Sequence, residues 1–209
     1  TEIYTLSLHD ALPIFGEIEK TTVDMPDGGI GTFHPQYTNI SLAYSKEFSN
    51  SIYGGIVVKV LNEAISDMNA SGVCFDAGVH YVTGKRDQLK FGITMQNVGP
   101  TMKFKGDGFA IRATPDEHIM TLEQRSADFE LPSLIRIGLS YDLLYLDHSL
   151  TIATSFTSNS FTKDQYHAGL EYGFKKLVYL RGGFVYEKDI FNNLDTRSTA
   201  YTGPTAGVS

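Results

Sequence analysis

The stretch from Ile135 to Leu143 reads IRIGLSYDL, and it decides the fold class. Large apolar side chains occupy every second position of this stretch. The positions between them carry Arg136, Gly138, Ser140 and Asp142. A period of two puts the apolar side chains on one face of an extended strand and the polar ones on the other, whereas a helix would need apolar residues three and four positions apart. The stretch therefore predicts a β-strand.

The same alternation recurs in seven further segments, so the sequence predicts eight strands. The seven segments are 39–45, 52–61, 73–81, 89–96, 150–157, 166–174 and 178–187. Most of them approach the roughly 9–11 residues that a tilted strand needs to cross a bilayer.

Composition supports an all-β protein and narrows the function classes. The chain of 209 residues holds 20 Gly, 12 Tyr and 13 Phe without any Trp, which is typical of strands joined by many turns. No run approaches 18 consecutive apolar residues, so no transmembrane helix is predicted, although alternating strands would escape such a search. A formal net charge of -7 disfavours a nucleic-acid partner. One cysteine excludes an internal disulfide.

The lengths of the predicted connections alternate between short and long. Short turns are predicted at Phe48–Ser51, Gly84–Asp87, Tyr145–His148 and Lys175–Leu177. Longer loops are predicted at Glu63–Gly72, Gly99–Pro132, Asn159–Asp164 and Lys188–Thr202. An up-and-down meander would collect all longer loops at one end, which is the layout of an outer-membrane barrel.

The two predicted strand faces also fit a membrane barrel. Aromatic residues fall near strand ends, where girdle aromatics belong: Tyr81, Tyr141, Tyr145, Tyr166, Phe174 and Tyr186. The polar side chains expected to face the lumen are Asp76, His80, Lys90, Arg136, His167, Glu171, Arg181 and Glu187. We expect the charges of Arg136, Glu171, Arg181 and Glu187 to pair across neighbouring strands. The fold prediction is therefore an antiparallel up-and-down transmembrane β-barrel, and a soluble sheet covered on one face remains the alternative.

The first fourteen residues, Thr1 to Ile14, read TEIYTLSLHDALPI and resemble a translated sequencing adapter. Such a segment is excluded from fold reasoning. The expected domain organisation is an adapter artefact over residues 1–14 and a partial outer-membrane β-barrel domain over residues 15–209, truncated at both ends.

Motifs that would indicate catalysis or a cofactor are weak. Pro26 to Gly31 is glycine-rich but lacks the preceding strand and the Lys-Ser/Thr pair of a P-loop, so we interpret it as a turn. His80 and His167 share a face without a ligand-spaced third partner, and Cys74 is expected to be an inert thiol. The sequence thus predicts a protein that is not an enzyme and needs no cofactor or metal.

The segment Gly99–Pro132 is longer than a plain connection, and loops of this length usually have a function or are disordered. Its apolar residues are candidates for folding over the barrel mouth or for binding a protein partner. They are Met102, Phe104, Phe109, Ile111, Ile119, Met120 and Leu122.

Five segments carry a resemblance to a known family. They are FDAGVHYVTG (Phe75–Gly84), LKFGITMQNVGPTMKFKGDG (Leu89–Gly108), ELPSLIRIGLSYD (Glu130–Asp142), FTSNSFTKDQYHAGLEYGF (Phe156–Phe174) and LRGGFVYEKDIF (Leu180–Phe191). They resemble the PorV/PorQ family. The more specific features of this resemblance are the strand exit Asn97-Val98-Gly99-Pro100 and the strand entry Leu131-Pro132 of this chain.

That resemblance implies a fourteen-stranded barrel related to FadL-type fatty-acid transporters, located in the bacterial outer membrane. It also implies a role in type IX secretion, in which the barrel binds secreted cargo through a C-terminal signal domain and passes it to the surface attachment machinery. The implied partners are this cargo, other type IX secretion components and outer-membrane lipid.

Two other functions remain open at this stage. One is a FadL-like channel for hydrophobic small molecules, against which the polar lumen face counts. The other is a soluble β-sandwich or lectin-like binding module.

Overall fold

The structure of the protein is a computed structural model, and it describes residues 4–11, 16–22, 24–113, 120–188 and 202–209. These residues form fifteen strands and one short 3₁₀ helix at Asp107–Phe109. The strands are β1 Tyr4–Ala11, β2 Ile18–Glu19, β3 Thr32–Phe33, β4 Gln36–Ser49, β5 Ile52–Ile65, β6 Met68–Thr83, β7 Leu89–Val98, β8 Lys105–Gly106, β9 Ala110–Ala113, β10 Met120–Glu123, β11 Leu134–Tyr145, β12 His148–Asn159, β13 Gln165–Phe174, β14 Val178–Glu187 and β15 Gly203–Val208. Within the described ranges, no helix has the length and apolar character to span a membrane.

One large antiparallel sheet dominates the fold. Its strand order is β1-β4-β5-β6-β7-β11-β12-β13-β14-β15, with β8 added beside β6. The eight strands predicted from alternation are β4 to β7 and β11 to β14, so the all-β antiparallel meander is confirmed. In the part of the chain that the structure describes, β1 and β15 are the two edges of an open sheet.

The register keeps the two faces of the sheet separate. Ile137 lies opposite Ile93 on β7 and opposite Phe156 on β12, so their apolar side chains share one face. A slip of one residue would bring polar side chains into that row, which explains why alternation specifies the register strongly. We call the face that carries Ile137, Ile93 and Phe156 the apolar face, and the opposite one the polar face.

A β-bulge in β7 is the main irregularity of the central strands. Ala77 lies opposite Met95, whereas Phe75 lies opposite Val98, so β7 carries one extra residue there. Asn97, inside the bulge, has a φ of 55°. Asparagine tolerates this left-handed conformation better than other residues with a side chain.

The expected long loop at Glu63–Gly72 is wrong. β5 and β6 continue to Ile65 and Met68, so that only Ser66 and Asp67 form the turn. Alternation fades here because polar residues such as Asn62, Glu63 and Asn69 lie on both faces of this hairpin. The sheet end with this hairpin, at which β7, β12 and β14 end, is the loop end. The end with the turns 50–51, 84–88, 146–147 and 175–177 is the turn end.

Residues 4–11 are a strand at the edge of the sheet. β1 pairs with β4 from Tyr4 opposite Lys46 to Ala11 opposite Asn39. This pairing does not bear on the origin of the segment, so the adapter interpretation of Thr1–Ile14 stays a prediction. The proposed boundary between residues 14 and 15 lies outside the described residues.

Candidate functional site

The polar face of the sheet is the candidate site, and the register brings the sequence-predicted residues together there. Cross-strand partners share a face, so each residue can be placed from its partner. Asp76, His80, Lys90, Arg136, His167, Glu171, Arg181 and Glu187 all lie on the polar face.

Ion pairs cross between adjacent strands on this face. Lys59 Nζ lies 2.5 Å from an Asp76 carboxylate oxygen, with both side chains largely buried. Lys90 Nζ lies 2.7 Å from Asp142 Oδ2. Asp142 also accepts a hydrogen bond of 2.7 Å from the Thr151 hydroxyl. Opposite charges on adjacent strands stabilise the pairing and keep buried charges compensated.

Another pair joins β13 to β14 as the sequence predicted. The Arg181 guanidinium donates from Nε to Glu171 Oε2, and its Nη1 donates to Ser209 Oγ at 2.8 Å. Arg136 differs from the expectation of a charge pair, because its Nε donates to the neutral Thr157 hydroxyl on β12 at 3.2 Å.

Glu187 is 3% exposed, and Gln165 Nε2 donates to its Oε2 at 3.2 Å. A carboxylate this deeply buried needs hydrogen-bond donors to remain compensated. The loop end of the polar face is thus closely packed around Glu187, whereas Arg181 and Glu171 remain half-exposed near the turn end.

Between these charges the polar face holds an open groove of about 450 Å³. Its polar lining residues are His80, Lys90, Ser140, Thr154, Ser155, His167 and Thr205. Glycines form much of its floor. This lining offers hydroxyl and imidazole groups to a solute. No cluster of three or more metal-ligating side chains occurs in the described ranges.

A network around Asn97 was missed as a site by sequence reasoning. Lys59 Nζ donates to Asn97 Oδ1 at 2.9 Å, and Asn97 Nδ2 donates to the Pro132 carbonyl at 2.9 Å. The backbone N–H of Asn97 donates to Asp76 Oδ1 at 2.8 Å. One side chain thus ties the exit from β7 to the entry into β11. The Asn-Val-Gly-Pro sequence at the strand exit was the available signal.

The long connection between these strands packs back onto the polar face. Met102 is 1% exposed and contacts Gly72, where a Cβ atom would lie 2.7 Å from Met102 Cγ. Two backbone hydrogen bonds of 2.7 and 2.8 Å join Met102 to Phe129, whose ring stacks on Phe104 at 5.4 Å.

We call Met102, Phe104, Phe129 and Leu131 the loop cap. It packs on Leu61, Ala70 and Cys74. Met102 and Leu131 form the buried apolar core of the described chain with these three residues, and Phe104 and Phe129 are partly buried against it. Leu61 and Cys74 come from the polar-face positions of β5 and β6. The loop cap therefore covers the polar face at the loop end.

The candidate partner-binding residues separate into two groups. Met102 and Phe104 belong to the loop cap, so Met102 is not accessible to a partner. Met120 and Leu122 lie exposed on β10, and Ile111 is opposite Leu122 on β9. Phe109 is half-buried at the base of this hairpin, and Ile119 lies outside the described residues.

The apolar face is the more exposed side of the sheet. Leu139, at the middle of β11, is 47% exposed, and its neighbours on the same face are similarly open. Near the loop end, Tyr166 contacts the rings of Phe156 and Tyr186 at 4.9 and 6.3 Å. At the turn end, the ring of His148 lies 5.9 Å from that of Tyr172.

No family model matches this sequence, and no curated protein matches it significantly. The resemblance to the PorV/PorQ family therefore stays a prediction from the quoted segments.

Proposed function

We propose that this chain is a membrane-embedded β-sheet domain of the bacterial outer membrane and part of a closed, FadL-like barrel. The exposed apolar face carries the proposal. A soluble sheet buries its apolar face against another layer, whereas here the polar face is the more enclosed one. Rows of exposed Ile, Leu and Phe side chains on several adjacent strands suit lipid rather than water.

The dimensions of the sheet support this proposal. The ten residues of β13 extend about 33 Å, which a tilt near 45° reduces to roughly the 25 Å height of an apolar band. Aromatic contacts occur at both ends of β13, around Tyr166 and Tyr172, and girdle aromatics would have this spacing along a spanning strand.

A pair of neighbouring substitutions on β11 tests the membrane location. Leu139 lies on the apolar face and Ser140 on the polar face, so we compare Leu139→Arg with Ser140→Arg in the complete reading frame expressed in its host. We expect Leu139→Arg to reduce insertion, because arginine at the bilayer midplane costs roughly 2–4 kcal/mol. Ser140→Arg is the control and is expected to insert. Outer-membrane fractionation gives the readout, and equal insertion of the two variants would contradict the proposal.

Within the membrane, we propose a non-enzymatic role in type IX protein secretion. The chain would bind secreted cargo through its C-terminal signal domain and pass it to the surface attachment machinery. The five segments that resemble the PorV/PorQ family support this role. The exposed Met120 and Leu122 on β10 supply an apolar surface at the loop end for such cargo.

Crosslinking at the cell surface tests the secretion role. We expect secreted proteins sharing a C-terminal signal domain to copurify with the complete protein, and Met120→Glu combined with Leu122→Glu to reduce their yield. Leu146→Glu combined with Leu177→Glu, in the turns at the opposite end of the sheet, is the matched control, because both side chains are also exposed. Recovery of lipids or small hydrophobic molecules without cargo would favour the FadL-like channel instead.

A further inference from the structure

A second groove lies on the apolar face toward the turn end, and it extends across the four adjacent strands β4 to β7. It encloses about 520 Å³. Its walls are Tyr44, Phe48, Ile56, Val79, Ile93 and Met95. We call it the outer groove. Its volume falls within the roughly 300–1,000 Å³ typical of small-molecule sites.

Small residues on the apolar face create this groove. Gly54 and Ala77 occupy apolar-face positions of β5 and β6, where the surrounding positions carry large side chains. The Phe48 ring leans over Gly54, so that a Cβ atom there would lie 2.8 Å from the ring. The groove is therefore a recess in an otherwise bulky surface, with an aromatic ring at its turn end.

Basic residues lie next to the aromatic ring at this end of the groove and in the neighbouring turn. Lys46, on the apolar face beside Gly54, holds its Nζ 5.8 Å from the centroid of the Phe48 ring. The turn 84–88 carries Lys85 and Arg86 along with Asp87. This turn lies beside the turn 50–51, because the backbone N–H of Val82 donates to the Ser51 carbonyl at 2.8 Å. Lysine and arginine near the end of a spanning segment place their charge at the headgroup level.

We infer that the outer groove seats a phospholipid with an anionic headgroup, its acyl chain in the recess and its phosphate beside Lys46. This inference rests on the proposed membrane location and adds a specific lipid site to it. The apolar recess matches an acyl chain, and the cationic end matches a phosphate. The orientation follows from the general rule that short turns face the periplasm, where phospholipids form the adjoining leaflet.

Native mass spectrometry of the complete protein, purified in detergent from the outer membrane, tests the site. The protein is incubated with equal amounts of palmitoyl-oleoyl phosphatidylglycerol and phosphatidylethanolamine. We expect one phosphatidylglycerol to be retained at least fivefold over phosphatidylethanolamine. Lys46→Gln should remove about a fivefold preference, equivalent to about 1 kcal/mol for one cation near a lipid surface.

A volume-filling variant separates the groove from general lipid adhesion. Ala77→Phe should reduce retained phosphatidylglycerol at least fivefold, because the ring fills the recess. Leu170→Phe is the matched control, since Leu170 is exposed on the apolar face of β13 away from the groove. It should retain lipid as the unaltered chain does.

The outcomes distinguish this inference from the membrane location itself. Equal retention of the two lipids by the unaltered protein, or equal loss in Ala77→Phe and Leu170→Phe, overturns the lipid site while membrane insertion stands. Occupation by a protein segment in place of lipid overturns it as well. Absence of the protein from the outer-membrane fraction overturns both proposals.

Discussion

Asn97 combines an unusual backbone conformation with three hydrogen bonds. Its φ of 55° favours asparagine or glycine, and its side chain links Lys59 to the Pro132 carbonyl. The two contributions can be separated by substitution, because glycine retains the backbone freedom and alanine retains neither contribution.

We expect Asn97→Ala to lower the free energy of unfolding more than Asn97→Gly does. Both variants lose the side-chain hydrogen bonds, while alanine adds about 1–2 kcal/mol of left-handed strain. Urea unfolding of the protein refolded in vesicles measures the difference. Equal destabilisation by the two variants would show that the backbone conformation is unimportant.

Met102 provides the second test at the residue scale. Met102→Ala should destabilise the protein by about 2–5 kcal/mol, because it leaves a cavity in the loop cap. The same substitution at Met120, which is 48% exposed in the same connection, should change stability by less than about 0.5 kcal/mol. Limited proteolysis within 99–133 provides a second readout, with faster cleavage expected for Met102→Ala alone. Similar effects of both substitutions would contradict the burial of Met102.

At the level of elements, the eight central strands could be predicted because their signal is local. Every second residue of β11 is large and apolar, and the partners of Ile137 on β7 and β12 follow the same pattern. The β5–β6 turn could not be predicted this way, since its polar flanks carry no alternation. The loop cap could not be predicted from the sequence either, because Met102 lies in an aperiodic segment and its contact residue Gly72 is distant in sequence.

β8 gives an element-scale prediction. Gly106 has a φ of 140°, and a Cβ atom there would lie 2.0 Å from the Asp67 carbonyl oxygen. We expect Gly106→Ala to cost at least about 2 kcal/mol, because this backbone region is restricted to glycine and β8 must move away from β6. Unfolding in vesicles provides the measurement.

The control for this prediction is Gly138 on the polar face of β11. A Cβ atom there would meet Ser155 Cβ at 3.6 Å, which is an ordinary contact. Gly138→Ala should leave stability unchanged or raise it by up to about 1 kcal/mol, because alanine loses less backbone entropy. A greater loss for Gly138→Ala than for Gly106→Ala would refute the packing of β8 on the β5–β6 hairpin.

At the scale of the whole molecule, the distribution of apolar residues decides the solution behaviour. The described chain buries few apolar side chains and exposes many on one continuous face. We expect large assemblies in detergent-free buffer, because water-exposed apolar patches of this kind associate, and discrete particles in detergent. Analytical ultracentrifugation distinguishes these states. A monodisperse monomer in plain buffer would favour the soluble binding module.

The burial of Cys74 allows its alkylation rate to measure the opening of the loop cap. Its thiol is the single one in the sequence and is fully buried beneath the loop cap. A maleimide reagent can reach it only after the covering residues separate, so the rate of alkylation at saturating reagent equals the frequency of that opening. A timed labelling series on living cells would thus measure how often the loop cap separates from the polar face of the sheet.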